Sequence, residues 1–88
     1  MEYQLEISPS IQHTLRKLKK KNHVLLHALH VKMREIVFNP YHFKPLRGDM
    51  HGIRRVHIMK SFVLTYEIDE VARTVKILDF GHHDRIYG

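Results

Sequence analysis

Nine histidines lie in a chain of 88 residues that has no cysteine, and two groups of them sit beside cations. The first is the β-rich run from Ile53 to Met59, in which Val56 and Ile58 share one strand face with Arg54 while Arg55 and His57 lie on the other. A cation and an imidazole in mid-strand suit a sheet surface that meets an anion; the plain alternative is an ordinary solvated face. The second group is the C-terminal run Gly81, His82, His83, Asp84, Arg85, Ile86, Tyr87, Gly88. Imidazoles titrate near neutrality, so two of them can share proton abstraction and donation. Lysine and arginine neutralise the charge of a pentacovalent phosphate. Together these groups suit metal-independent RNA cleavage, in which the ribose 2′-hydroxyl attacks its own 3′-phosphate and the leaving 5′-oxygen takes a proton; DNA lacks that nucleophile. A solvated tail is the plain alternative for His82 and His83.

Histidine also binds metals. His23, His27 and His30 fall in one arc at helical spacing. No carboxylate joins them at ligand spacing, and the arc borders an apolar stripe where histidine needs no metal, so no metal site is assigned.

Composition narrows the partners. Lys plus Arg number 15 against 9 Asp plus Glu, a formal charge of +6 before any histidine is protonated. Such a surplus draws the chain to polyanions through counterion release: nucleic acid, an acidic protein or a ribonucleoprotein. A domain this small buries roughly 60–65% of its unfolded surface, enough for one core and too little for an enclosed cofactor cavity, so no small-molecule cofactor is expected. Without cysteine nothing requires an oxidising compartment, which fits a cytoplasmic location. Met1 to Ser8 alternates acidic, polar and apolar residues, unlike a signal or targeting segment, and no apolar run approaches membrane-spanning length.

The elements that must position the histidines follow from periodicity. Tyr3, Leu5 and Ile7 alternate with polar residues as a half-buried strand does. Ser8 and Pro9 supply an N-cap and first-turn proline for a helix carrying Ile11, Leu15 and Leu18, which ends in the run Lys19, Lys20, Lys21, Asn22. From His23, the set Leu26, Leu29, Met33, Ile36 and Val37 marks a second helix that stops before Asn39 and Pro40. Asn39 to Gly52 reads as an irregular lead-in. Ile53 to Met59 and Phe62 to Ile68 form a hairpin about Lys60 and Ser61, Asp69 to Arg73 turns, and Thr74 to Phe80 is a last strand ended by Gly81. The order β-α-α-β-β-β predicts an α+β fold: residues 1–88 as a single domain, with a helical hairpin on one face of a mainly antiparallel four-stranded sheet. The hairpin register, and with it the neighbour of His57, stays open.

From Pro45 the chain reads Pro-Leu-Arg-Gly-Asp-Met-His-Gly-Ile-Arg-Arg-Val-His-Ile, then Val-Leu-Thr-Tyr-Glu-Ile, then Gly-His-His-Asp-Arg-Ile-Tyr-Gly. This resembles the RelE/ParE superfamily of toxins, most closely its YafQ branch. That branch carries a Pro-Leu-x-Gly lead-in, a Gly-x-Arg-x-x-His strand, a tyrosine-bearing strand and a closing Gly-x-His with a terminal aromatic. The resemblance implies a RelE-like fold and a type II toxin that cuts messenger RNA in the ribosomal A site and is silenced by a cognate acidic antitoxin. It implies catalytic roles for His57, His83 and Tyr87, and matches Arg54 to the branch's strand arginine and Phe62 to an aromatic near its active site. Beside these, the cations and rings Lys44, Arg47, Arg54, Arg55, Phe62, His82 and Arg85 are the expected RNA or phosphate contacts. Lys44 stands where the branch has a histidine, and Ser61 where it has an acid. Two other readings follow from the same superfamily: a ParE-like toxin that poisons gyrase, or an attenuated homologue kept to bind antitoxin.

Overall fold

The computed structural model describes residues 2–45 and 52–84. Strand β1 (Gln4–Ile7), helices α1 (Pro9–Lys21) and α2 (His23–Phe38), and strands β2 (Ile53–Ile58), β3 (Phe62–Asp69) and β4 (Thr74–His82) follow in chain order. The sheet order is β1-β4-β3-β2. β1 runs parallel to β4, and the β2–β3 and β3–β4 pairs are antiparallel. The return from β1 to a parallel neighbour needs a long crossover, which places both helices on one face. No helix among the described residues is long and apolar enough to cross a membrane.

Local chemistry sets the helix ends. Ser8 Oγ accepts from the Ile11 amide at 3.4 Å and Pro9 opens α1. Asn22 serves both helices, its amide donating to Leu18 at 2.8 Å and its Oδ1 accepting from the Leu25 amide at 3.1 Å. One residue thus ends one helix and starts the next, and the Lys19, Lys20 and Lys21 charges offset the exposed carbonyls of the first. The core lies between the helices and the sheet, where Ile11, Leu25, Leu29, Met33 and Ile36 meet Val56, Ile58, Leu64, Tyr66, Val75, Ile77 and Phe80.

Three boundaries differ from the periodic reading. β2 ends at Ile58, because Met59 takes a left-handed φ of 56° and opens the turn with Lys60 and Ser61. β4 does not stop at Gly81 but continues to His82, since β3 still offers Val63 and Phe62 as partners for Gly81 and His82. The lead-in also has partial order: Pro45 bridges Arg54, and the Arg55 amide donates to the Lys44 carbonyl at 3.1 Å.

Tyr66 ties that lead-in to the core. Its ring is fully buried and its hydroxyl donates to the Pro40 carbonyl at 2.6 Å. Burial pushes the phenol up to about 12, against the opposing pull of the Arg54 cation. A phenol whose folded value lies above its unfolded value near 10 loses its stabilising contribution as pH rises from about 10 through 12. Tyr66→Phe should therefore lower stability at neutral pH by about 1 kcal/mol, as a lost hydrogen bond does. It should also make the alkaline fall in Tm shallower, though Tyr41, likewise pushed up to about 12, keeps part of it. Thermal unfolding of both proteins at about pH 9 and about pH 11.5 measures this.

Candidate active site

Register, open in the sequence, decides which side chains meet. Ile58 pairs with Phe62, so His57 pairs with Val63 and Arg55 with Thr65. Residues directly opposite share a face. Arg54, Val56, Ile58, Phe62, Leu64 and Tyr66 therefore face the helices, and Arg55, His57, Val63 and Thr65 face away. Val63 and Thr65 are nonetheless buried, so this second face is not an ordinary solvated surface.

A bulge brings His83 to it. Val75 and Ile77 in β4 are buried on the helix side, and strict alternation would put His83 there too. The register shifts between Thr65 and Tyr66, which pair with Asp79 and Ile77 and leave Leu78 unmatched. One extra residue reverses the alternation beyond it. Phe80 then faces the helices, Gly81 lies opposite Val63, and His83 follows on the side of His57. The His83 amide donates to the Ser61 carbonyl at 2.7 Å, extending the ladder past the strand end.

The His57 and His83 rings consequently stack, with centroids 5.6 Å apart and planes 24° from parallel. The His57 side is continuous with a cleft of about 350 Å³ lined by His42, Phe43, Lys44, Arg55, Val56 and His57. Two imidazoles and two basic side chains, Lys44 and Arg55, thus border one open surface. Such a set can take a proton, give a proton and hold a phosphate without a metal. Among the described residues no three His, Cys, Asp or Glu side chains form a metal-holding group.

The other sequence-selected residues are placed differently. Arg54 is on the helix side, where Nη1 donates to the Phe43 carbonyl at 2.6 Å and lies 3.5 Å from that of Tyr41; its guanidinium sits 5.1 Å from the Tyr41 ring centre. Arg54 grips the lead-in from this side, because alternation sends residue 54 away from the face of residue 57. Phe62 also turns to the helix side and stacks on Phe80 at 5.6 Å. His82 pairs with Phe62 and lies edge-on to its ring at 5.7 Å, on the opposite face from His83. Arg47, Arg85 and Tyr87 fall outside the described residues.

Three contributors escaped the periodic reading. His42 and Phe43 line the cleft, and their rings meet edge to face at 5.0 Å; the irregular lead-in offers no period from which to place them. Asp84 sets Oδ1 3.7 Å from Nδ1 of His83 and Oδ2 3.9 Å from Nδ1 of His82. It supplies a carboxylate beside the closing imidazole, where Ser61 offers only its backbone carbonyl.

Known proteins share this arrangement of elements. A model of the ParE-like toxin of type II bacterial toxin-antitoxin systems matches residues 5–88. The Methanocaldococcus jannaschii protein named RelE4 is 48% identical over 85 residues, which cover 97% of this chain and 90% of that one. The fold matches a free variant of Escherichia coli RelE with a TM-score of 0.80, over 97% of this chain and 87% of that one at 22% identity. A chain of the E. coli DinJ-YafQ toxin-antitoxin complex matches with a TM-score of 0.77, over 100% of both at 19% identity. The match across nearly the whole sequence, joined to the β-α-α-β-β-β order, settles the relationship: this chain belongs to the ParE-like toxins of type II toxin-antitoxin systems, within the RelE/ParE superfamily.

Proposed function

We propose that this toxin is a metal-independent, ribosome-dependent messenger RNA endoribonuclease that arrests translation. The observation that carries the reading is the stacked His57–His83 pair beside the Lys44 and Arg55 cleft. One imidazole, as base, takes the proton of the ribose 2′-hydroxyl as that oxygen attacks the adjacent phosphorus. The other, as acid, gives a proton to the departing 5′-oxygen, leaving a 2′,3′-cyclic phosphate and a free 5′-hydroxyl. Lys44 and Arg55 offset the charge that gathers on the phosphorane. Arg47, Arg85 and Tyr87 complete the expected set around RNA, with Tyr87 stacking on a base or positioning the scissile group.

Charge distribution supports a large polyanion such as the ribosomal A site as partner. From Ser8 to Phe38 there are seven Lys or Arg and a single acid, Glu35, so the whole surplus of +6 resides on the helical hairpin. That hairpin lies behind the sheet, away from the imidazole pair, and attracts RNA without occupying the cleft. The same surplus calls for an acidic antitoxin that neutralises it and covers the open face. Relatives of this fold occur in such assemblies, among them E. coli RelBE and DinJ-YafQ.

The family description as ParE-like favours a second reading, a gyrase poison that cuts no RNA. Primer extension on a translated message after induction separates the two. Cuts within translated codons are the expected result. DNA damage with intact message would instead establish gyrase as the target.

A further inference from the structure

The turn between β3 and β4 carries a carboxylate with an unusual number of donors for a surface group. Tyr3 Oη lies 2.9 Å from both Glu70 oxygens, Arg73 Nη1 is 3.1 Å from Oε1, and the Tyr41 hydroxyl donates to Oε2. The turn is shaped to present it: Arg73 takes a φ of 51° and the Ala72 amide donates to Asp69 Oδ1 at 3.1 Å. Tyr3 is itself fixed, since its amide donates to the Val37 carbonyl at the end of α2 and the Arg73 guanidinium lies 4.2 Å from its ring centre. Glu70 therefore joins three segments: the chain start, the β3–β4 turn and the lead-in.

Of these three segments, the lead-in is the one that lines the cleft among the described residues. Tyr41 is held at its hydroxyl by Glu70 and across its ring by Arg54, and Arg54 also binds the Phe43 carbonyl. The next three residues, His42, Phe43 and Lys44, are cleft wall. Glu70 itself stands one residue past the end of β3 remote from His57, about 20 Å away at strand rise.

We propose that Glu70 is a positioning residue for the cleft, setting through Tyr41 where Lys44 and His42 stand relative to Arg55 and His57; the inference rests on the nuclease reading of that cleft. An isolated exposed ion pair would be worth little. Here one carboxylate gathers two phenols and a guanidinium. The Tyr41 hydrogen bond first, then that of Tyr3, holds it below the ordinary carboxylate range, so it remains an ionised acceptor at neutral pH. Because the connection ends on a wall cation and not on the imidazoles, it governs substrate binding more than the chemical step.

Glu70→Gln, Tyr41→Phe and their double variant test this in cleavage of a message on translating ribosomes, alongside the amide NMR shifts of His42, Phe43 and Lys44. Each single variant should raise KM roughly five-fold with kcat held within about a factor of two, and the double variant should be no worse than either. The wall amides should move in all three. Lys76→Ala, which breaks a surface pair with Asp69 at the same end of the sheet, should leave KM unchanged. Unmoved wall amides, or a fall in kcat that follows Tm at constant KM, would overturn the proposal. If the parent cuts no message, the nuclease reading fails by itself, and the amide shifts still decide whether Glu70 positions the wall.

Discussion

His57→Ala and His83→Ala are each expected to lower message cleavage by roughly 10²- to 10⁴-fold and to abolish growth arrest on induction. The size follows from the role. A positioned acid or base contributes about that much, and the neighbouring imidazole of His82 turns to the helix side. Stability should hardly change. His57 is exposed, the His83 side chain is 45% exposed, and neither fills the core. Single-turnover cleavage, with circular dichroism to confirm the fold, measures both halves of the expectation. If either variant stays as toxic as the parent while folded, the two-imidazole mechanism is wrong. His82→Ala is the internal control: it removes an adjacent imidazole from the opposite face and should retain most activity.

That control exposes what was legible in the chain. The two helices could be read from apolar spacing and caps, because Ser8, Pro9 and Asn22 act within a few residues of where they stand. The alternation of Arg55 and His57 against Val56 and Ile58 was equally local. What alternation could not give was the side of the sheet on which His83 emerges, since an unmatched Leu78 reverses every face beyond it. Nothing in Ile77, Leu78 or Asp79 marks a bulge; it follows from Phe80 seeking the core across from Leu64. Pairing beyond Gly81 was hidden for a related reason. A glycine reads as a strand end until a partner strand is known to continue, and here Val63 and Phe62 do continue. The lead-in wall was least legible, because His42, Phe43 and Lys44 are held by side chains distant in sequence and by no period of their own.

Arg54 is where sequence resemblance and geometry diverge most, and its substitutions separate the two. As a phosphate contact, Arg54 would be partly replaced by lysine, which keeps the charge. As a clamp on the lead-in it would not, because lysine lacks the planar fork that bonds the Phe43 carbonyl while stacking on Tyr41. Arg54→Ala should cost about 2–3 kcal/mol, since it strands a carbonyl and removes a stem packed beside the buried Tyr66. Arg54→Lys should recover only part of that. Cleavage at limiting message should fall in both, by as much as about 100-fold and mainly through KM, because a displaced Lys44 no longer holds the phosphate in place beside the imidazoles. The decisive comparison is salt dependence. Losing a direct phosphate contact reduces the slope of log K against log salt by about one, whereas losing a clamp lowers affinity and leaves the slope nearly intact. An unchanged slope with a lowered Tm in Arg54→Ala supports the clamp; a reduced slope at constant Tm would return Arg54 to the phosphate. Either outcome also bears on Glu70, since both residues hold Tyr41, from which the chain runs directly into His42, Phe43 and Lys44 of the cleft wall.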